Sequence, residues 1–359
     1  MRLVVENELY RVPRGALRGD ILRIFNALGV SRDDASMVAD TLIRTEQWGV
    51  LSHGILRVKR YVECLQSGGI LADAPFTVEK RSGAWALTSA NGGLGIPACT
   101  KAADLAVELA KEHTVGAVNV RMSHHNGAEG FYTDRIARRG MIGMVMSTGN
   151  PIMAVTGASE ATLGNNPFSY AVPAGAFGVL MLDAAMSTVA DGKIQLARAT
   201  GKKLPVGCIL DREGNPSVEP EDYFNGGVLL PFGAHKGYGL AVMVECLAGI
   251  LSGAALTHEI NSWNTEPGKC GNTGHFILAI DIEKIMPVSR YVSRVEEMVR
   301  QFKAARRMPG AEIYYPGELE QRRLREAGET VSLLPSTWRS FLEAGRLAGV
   351  SLQTEDAAI

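Results

Sequence analysis

The chain has 359 residues, 46% apolar and 21% charged, with a mean hydropathy of +0.03. That composition can bury a sizeable core in one large domain or two intimate ones, and it excludes a disordered or collagen-like chain. Thirty-seven Lys and Arg against 38 Asp and Glu leave a net charge of −1, so nothing in the totals suggests a nucleic-acid partner. The five cysteines, Cys64, Cys99, Cys208, Cys246 and Cys270, are odd in number and form no C-x-x-C pair. With no apolar secretory core in the first twenty residues, they point to a reduced, cytoplasmic protein. The longest apolar stretch, Leu240 to Leu251, is broken by Glu245 and is too short for a hydrocarbon layer of ~30 Å, so no membrane span is expected.

In chain order, residues 1–75 read as helical. Arg18 to Leu28, Asp33 to Trp48 and Ile55 to Leu65 carry apolar positions at three- and four-residue spacing, punctuated by Gly29, Gly49 and Gly68-Gly69. From Ala84 the pattern becomes α/β: strand AWALTSA, a loop at Gly92 to Gly95, helix Pro97 to Glu112 and strand VGAVNV. Helix Gly130 to Arg139, strands Met141 to Ser147, Phe168 to Val172 and Val179 to Asp183, and helix Ser187 to Thr200 continue it. The turn at Gly233 leads into a long apolar helix, Tyr238 to Leu251, then a polar, irregular stretch to Gly274 and the strand HFILAIDI. Charged amphipathic helices return from Lys284. The expected organisation is an N-terminal helical part (1–75), an α/β cofactor-binding domain (76–283) and C-terminal helices (284–359) that pack with the first part. The tail TEDAAI is expected to fray.

Several clusters could carry chemistry. Ser52 is a plausible helix cap, and behind it His53, Arg57 and Tyr61 recur every four residues, placing imidazole, guanidinium and phenol on one face. Arginine's fork suits a carboxylate, and a histidine of ordinary pKa ~6.5 can move a proton. The plainer alternative is a solvated polar face. His124 and His125 follow a strand and precede a helix, where open α/β sheets collect ligands. No H-E-x-x-H or paired-cysteine pattern accompanies them, so no metal is expected. One imidazole facing a cofactor and two loop histidines satisfied by backbone both stay open. Gly233-Ala234-His235-Lys236-Gly237 enters the long helix; its glycines, helix N–H groups and lysine suit a phosphate, or form an ordinary glycine-rich connection. Leu163 to Pro167 and Leu182-Asp183 lie at strand ends and are weaker signals. Gly93 to Ala98 satisfies G-x-G-x-x-A, yet the ribose-binding acid is misplaced: Glu112 precedes the second strand and Asn119-Val120-Arg121 ends it. A plain packed loop is the favoured reading over a Rossmann turn.

Taken in order, SHGILRVKRY, VRMSHHNGAEGFY, LGNNPFSYAVPA, LDAAMSTVADGKIQLA, ILDREGNP, LLPFGAHKGYGLAVMVECLAG and YYPGE resemble the type-2 malate/L-lactate dehydrogenase family. That family includes ureidoglycolate and sulfolactate dehydrogenases, diketogulonate reductase and cyclic imino acid reductases. The resemblance implies an α/β (α+β) fold: a non-Rossmann cofactor domain with a mixed, largely antiparallel sheet, plus a helical domain built from both chain ends. It implies a homodimer with active sites near the subunit interface. The implied activity is hydride transfer between NAD or NADP and a small 2-hydroxy or 2-oxo carboxylate. Reduction of cyclic imino acids or diketo sugar acids is the alternative within the family; outside it stand a metal-dependent hydrolase on His124 and His125, or a non-catalytic binding protein.

By position, the resemblance makes His53 the proton donor with Ser52 as its hydrogen-bonded neighbour, and Arg57 the carboxylate anchor, with Tyr61 on the same stripe. His125 falls near the nicotinamide and is the acid/base in some relatives. Asn126, Gly127, Leu182, Asp183, His235, Lys236 and Gly237 match cofactor-binding positions, and Gly317, Glu318 and Arg322 accompany the nucleotide. Several residues depart from the family pattern. Asn165 stands where many relatives have threonine in the substrate pocket, Met186 replaces another threonine, His124 stands where Asn is common, and Asn126 replaces an aromatic. Lys193 occupies the place of the aspartate that, in cyclic imino acid reductases, backs Ser52 and His53. An imidazole without that carboxylate loses the partner that would hold it protonated, which favours 2-hydroxyacid chemistry over imine reduction.

Overall fold

The computed structural model describes residues 9–355. A short strand, β1 (Tyr10–Pro13), leads into α1 (Arg14–Ala27), α2 (Arg32–Gln47) and α3 (Arg57–Gln66). Ser31 caps α2 by accepting from the Asp34 N–H at 3.1 Å, and Asp33 and Asp34 place negative charge in its first turn. The sheet region follows: β2 (Thr77–Ser82), β3 (Trp85–Ser89), α4 (Gly95–His113), β4 (Val115–Ser123), α5 (Glu129–Ala137), β5 (Met141–Ser147), β6 (Phe168–Pro173) and β7 (Val179–Ala184). Helix α6 (Asp191–Ala199), the short β8 (Ile209–Leu210), β9 (Pro216–Ser217), α7 (Pro220–Phe224) and β10 (Val228–Leu229) form a small satellite. Helix α8 (His235–Val244) continues as a π-turn over Glu245–Ile250 before β11 (Thr273–Asp281), α9 (Val288–Ala304), α10 (Glu318–Ala327), β12 (Thr330–Leu333) and α11 (Pro335–Leu347).

One seven-stranded sheet runs β2-β3-β4-β11-β5-β6-β7. Only β3 and β4 pair in parallel; the other neighbours are antiparallel. This is the mixed, largely antiparallel sheet the resemblance implied. Its centre is covered by α4, whose alanines Ala98, Ala102, Ala103 and Ala106 are small enough to lie close against Val118, Val120 and Ile277.

The two chain ends share a second core. Leu17, Ile21 and Phe25 of α1, Val38 and Leu42 of α2, and Val58 and Val62 of α3 pack with Phe341 and Ala344 of α11. The antiparallel β1–β12 ribbon closes that unit. Helix α9 goes elsewhere: Val295 and Val299 bury against Ala174, Leu180 and Tyr315, at the β6–β7 end of the sheet.

Three local expectations change. Ser187–Ala190 is not helical, and α6 starts at Asp191; the Ser187 hydroxyl donates to Val189 O at 2.8 Å, a local bond that competes with helix. Strand β2 is polar and almost wholly exposed on the sheet edge, so apolar alternation never marked it. Thr354, the first residue of the tail, is buried with its N–H 2.8 Å from Asp20 Oδ2; residues 356–359 lie outside the described residues. Among the described residues no helix is long and apolar enough to cross a membrane.

Candidate active site

The site begins at a 3-10 turn, Leu51–His53, squeezed between α2 and α3. A Cβ on Gly54 would sit 2.0 Å from Glu46 Oε2, so only glycine lets the chain turn there. Glu46 is buried and accepts from the Ile55 N–H at 2.8 Å. Burial pushes its carboxyl up to about 8, which keeps it protonated at neutral pH and makes it a tolerable buried group. Ser52 is not a helix cap, because α3 starts only at Arg57. Its hydroxyl lies 2.8 Å from His53 Nδ1, and its carbonyl accepts from Arg57 Nε at 2.6 Å. One serine therefore aims both the imidazole and the guanidinium.

The loop after β4 brings His125 to this turn. Its ring stacks on His53 at a centroid distance of 5.4 Å and 18°, and on Trp263 at 4.2 Å and 14°. The Arg57 guanidinium lies over the same indole, 5.4 Å from its centroid. The Tyr61 hydroxyl is 2.7 Å from His125 Nδ1 and 3.1 Å from the His125 carbonyl oxygen, anchoring the loop to α3. His124 points the other way, its Nε2 3.0 Å from Gly69 O. The adjacent imidazoles thus do not converge, as expected of neighbours in extended chain. The G-x-G-x-x-A segment has a packing purpose: a Cβ on Gly95 would lie 2.1 Å from His124 O and 2.7 Å from His125 O. Its glycine seats the histidine loop.

Burial, with the Arg57 charge second, pulls His53 down to about 3. Burial likewise holds His125 well below the usual histidine range, with His53 and Arg57 adding to the shift. Both rings are neutral at physiological pH. Burial raises the Tyr61 phenol, so it stays a donor. Among the described residues His53 Nε2 has no hydrogen-bond partner, which leaves that nitrogen for a ligand.

The remaining candidates are spread around this centre. Asp183, at the end of β7, accepts from the Gly130 N–H at 2.8 Å, and its neighbour Leu182 is 40% exposed. Gly127 has φ +85°, a left-handed turn suited to glycine. Asn126 is buried, its amide donating to Glu129 Oε2 at 2.8 Å, so it belongs to the wall behind His125. His235 and Lys236 are exposed at the start of α8, and among the described residues neither has a polar side-chain partner. Gly237 is packed instead: a Cβ there would lie 2.6 Å from both Met186 O and Phe232 O. Gly317 (φ +87°) turns tightly against Met181. Glu318 is occupied by Lys303 at 2.5 Å and by the Tyr315 N–H at 3.1 Å, while the Arg322 guanidinium lies 5.7 Å from the Tyr314 ring centroid. Asn165 is half-buried; no described bond ties it to His53 or Arg57. Trp263 was missed by the sequence reading. It sits in the polar stretch before Gly274, and its only signal was being one of four tryptophans in an otherwise polar segment.

Residues 12–341 match the family model described as malate/L-lactate dehydrogenase. The chain belongs to that family. It is similar to a malate dehydrogenase from Pyrococcus horikoshii, 38% identical over 322 residues that cover 88% of each chain. It is also similar to a Δ1-pyrroline-2-carboxylate/Δ1-piperideine-2-carboxylate reductase from Pseudomonas syringae pv. tomato, 33% identical over 82% of this chain and 87% of that one. Among solved structures, sulfolactate dehydrogenase from Methanocaldococcus jannaschii superposes with a TM-score of 0.89 at 30% identity, covering 96% of this chain and 99% of the other. The family's members in these comparisons span two substrate chemistries, so the geometry of the stack has to discriminate between them.

Proposed function

We propose that this protein is an NAD(P)-dependent dehydrogenase that exchanges hydride between a nicotinamide cofactor and a small 2-hydroxy or 2-oxo carboxylate of the malate/lactate kind. The observation that carries the reading is the joint aim of His53 and Arg57 from a single serine, beside the His53–His125–Trp263 stack. Arg57 holds the substrate carboxylate through its terminal Nη groups, since Nε is committed to Ser52 O. Neutral His53 takes the hydroxyl proton at Nε2 during oxidation, and Ser52 keeps the ring in register. Tyr61 holds the His125 loop, and His125 forms a flat apolar wall.

The residues present fit a dinucleotide. At the start of α8 the exposed His235 and Lys236 side chains offer donors and a charge for phosphate, and the β7 end at Leu182 is open to solvent. When bound, the nicotinamide accepts or donates the hydride. Asn165 is assigned to the substrate pocket, and Gly317, Glu318 and Arg322 to the nucleotide's surroundings. The enzyme works as a cytoplasmic homodimer: Leu240, Val242, Ile250 and Leu251 leave an apolar face exposed between 39 and 59% on α8 and its continuation.

Purified protein mixed with NADH or NADPH and a panel of 2-oxoacids should consume the reduced-nicotinamide absorbance. His53→Ala should cut turnover with cofactor affinity preserved, whereas Lys236→Ala should mainly weaken cofactor binding. A flat trace across the panel, or the reverse pattern in the two variants, overturns the reading.

A further inference from the structure

We propose that a second, arginine-lined cleft between α2 and α5 binds a compact polyanion of the pyrophosphate class. The cleft encloses about 430 Å³ and contains no residue of the histidine stack. Arg14, Arg44, Arg135, Arg138 and Arg139 line it, with Asp40 and Asp134 as its acids and Ile43 and Phe131 as its apolar floor.

Apart from Asp134 Oδ1, which is buried without a hydrogen-bond partner, the local carboxylates are engaged. Asp134 holds Arg138 at 2.7 Å, Asp104 holds both Arg135 at 2.8 Å and Arg139 at 2.6 Å, and Asp40 holds Arg18, outside the cleft, at 2.7 Å. Two guanidiniums remain. Among the described residues Arg14 has only Glu329 at 4.0 Å, a carboxylate 90% exposed. Arg44 is half-buried and makes no hydrogen bond or ion pair among the described residues. Burial lowers its pKa, and the nearby charges of Arg138 and Arg14 lower it further against the pull of Asp134 and Asp40.

An unpaired guanidinium held among other cations is costly, and an anion between them removes that cost. Planar guanidinium forks match the oxygens of phosphate, each able to give two parallel bonds. The volume falls in the range of small-molecule sites, while the mostly charged lining selects a multiply charged ligand over an apolar one. Two sources share this chemistry: a free diphosphate-bearing metabolite, or the diphosphate of the nicotinamide cofactor.

Calorimetric titration of inorganic pyrophosphate into the full-length protein, with ionic strength held by sodium chloride, tests the site. Wild type should bind saturably, and Arg44→Gln should weaken binding by about tenfold or more, the loss of one charge-assisted contact. Arg14→Gln, at a half-buried position, should weaken it in the same sense, with circular dichroism and thermal melting checking that the variant folds. If NADH and NADPH affinities are unchanged in both variants, the occupant is a free polyanion; if they fall in step with pyrophosphate, it is the cofactor's diphosphate. Absence of saturable pyrophosphate binding to wild type, or equal affinity in Arg44→Gln, overturns the proposal.

Discussion

Replacing Arg57 with glutamine tests its proposed role as the carboxylate anchor. Nε is tied to Ser52 O at 2.6 Å and the guanidinium rests over Trp263, so the two terminal nitrogens remain for a substrate carboxylate. Two charge-assisted hydrogen bonds at ~1.5–3 kcal/mol each amount to about 3–6 kcal/mol, or roughly 10²–10⁴-fold in kcat/KM. The assay compares a 2-oxoacid with its uncharged methyl ester under steady-state conditions. The variant should lose its activity on the acid while the ester, poor with wild type, changes little. His53 should respond as well. Its pKa is lowered by burial first and by Arg57 second, so removing the cation moves the pH limb assigned to His53 upward, still short of the ordinary ~6.5 because burial persists. A loss below about tenfold on the acid, or an equal loss on acid and ester, would refute the anchor role.

Trp263→Phe should keep the stack and cost about tenfold or less in kcat/KM, in line with the ~0.5–1.5 kcal/mol of an aromatic pair. Trp263→Ala should cost more, because it unseats His125 and Arg57 together; kinetics of Trp263→Ala matching wild type would remove the indole from the site. The pH dependence of stability tests Glu46. Its carboxyl is raised from 4.5 to about 8 in the folded protein, so the stabilisation it gives is complete below the unfolded value and is lost as pH rises through about 8. Glu46→Gln should therefore melt near wild type in mild acid and above it in alkali, with Glu129, raised the same way to about 8, supplying the remaining slope. Identical melting curves on both sides would show that Glu46 ionises freely in the fold.

Much of the architecture was legible because single segments carried it. The spacing of Val58, Val62 and Leu65 declared α3, and the apolar run of β5 was bounded correctly at Met141 and Ser147. Pairings were not legible. That β11 inserts between β4 and β5, or that Val331 near one end meets Val12 near the other, depends on contacts across hundreds of residues. The site shows the same division. His53, Arg57 and Tyr61 were found through four-residue spacing, although His53 lies in a 3-10 turn and the Ser52 carbonyl ties Arg57 to that turn. The partners His125 and Trp263 were joined to that stripe only by the fold.

On the proposed mechanism, the charge that reaches His53 bears on the choice between a hydroxyacid and an imine. Lys193, where the resemblance implies an aspartate in imino acid reductases, is exposed, and its charge acts on Cys208. Gly192 beside it packs so tightly on Ser52 that a Cβ would fall 2.4 Å from the serine Cβ. The segment does supply a carboxylate one residue earlier: Asp191 attracts Arg57 and is held by Gln195 Nε2 at 2.6 Å. Its pull steadies the guanidinium, while among the described residues the ionic influence on His53 is Arg57 itself. A cation beside a half-buried imidazole favours the neutral ring, which suits abstraction of a hydroxyl proton. A substrate carboxylate that neutralises Arg57 would ease protonation of that ring for the reverse reaction, while burial, the larger cause, still holds it below the ordinary histidine range.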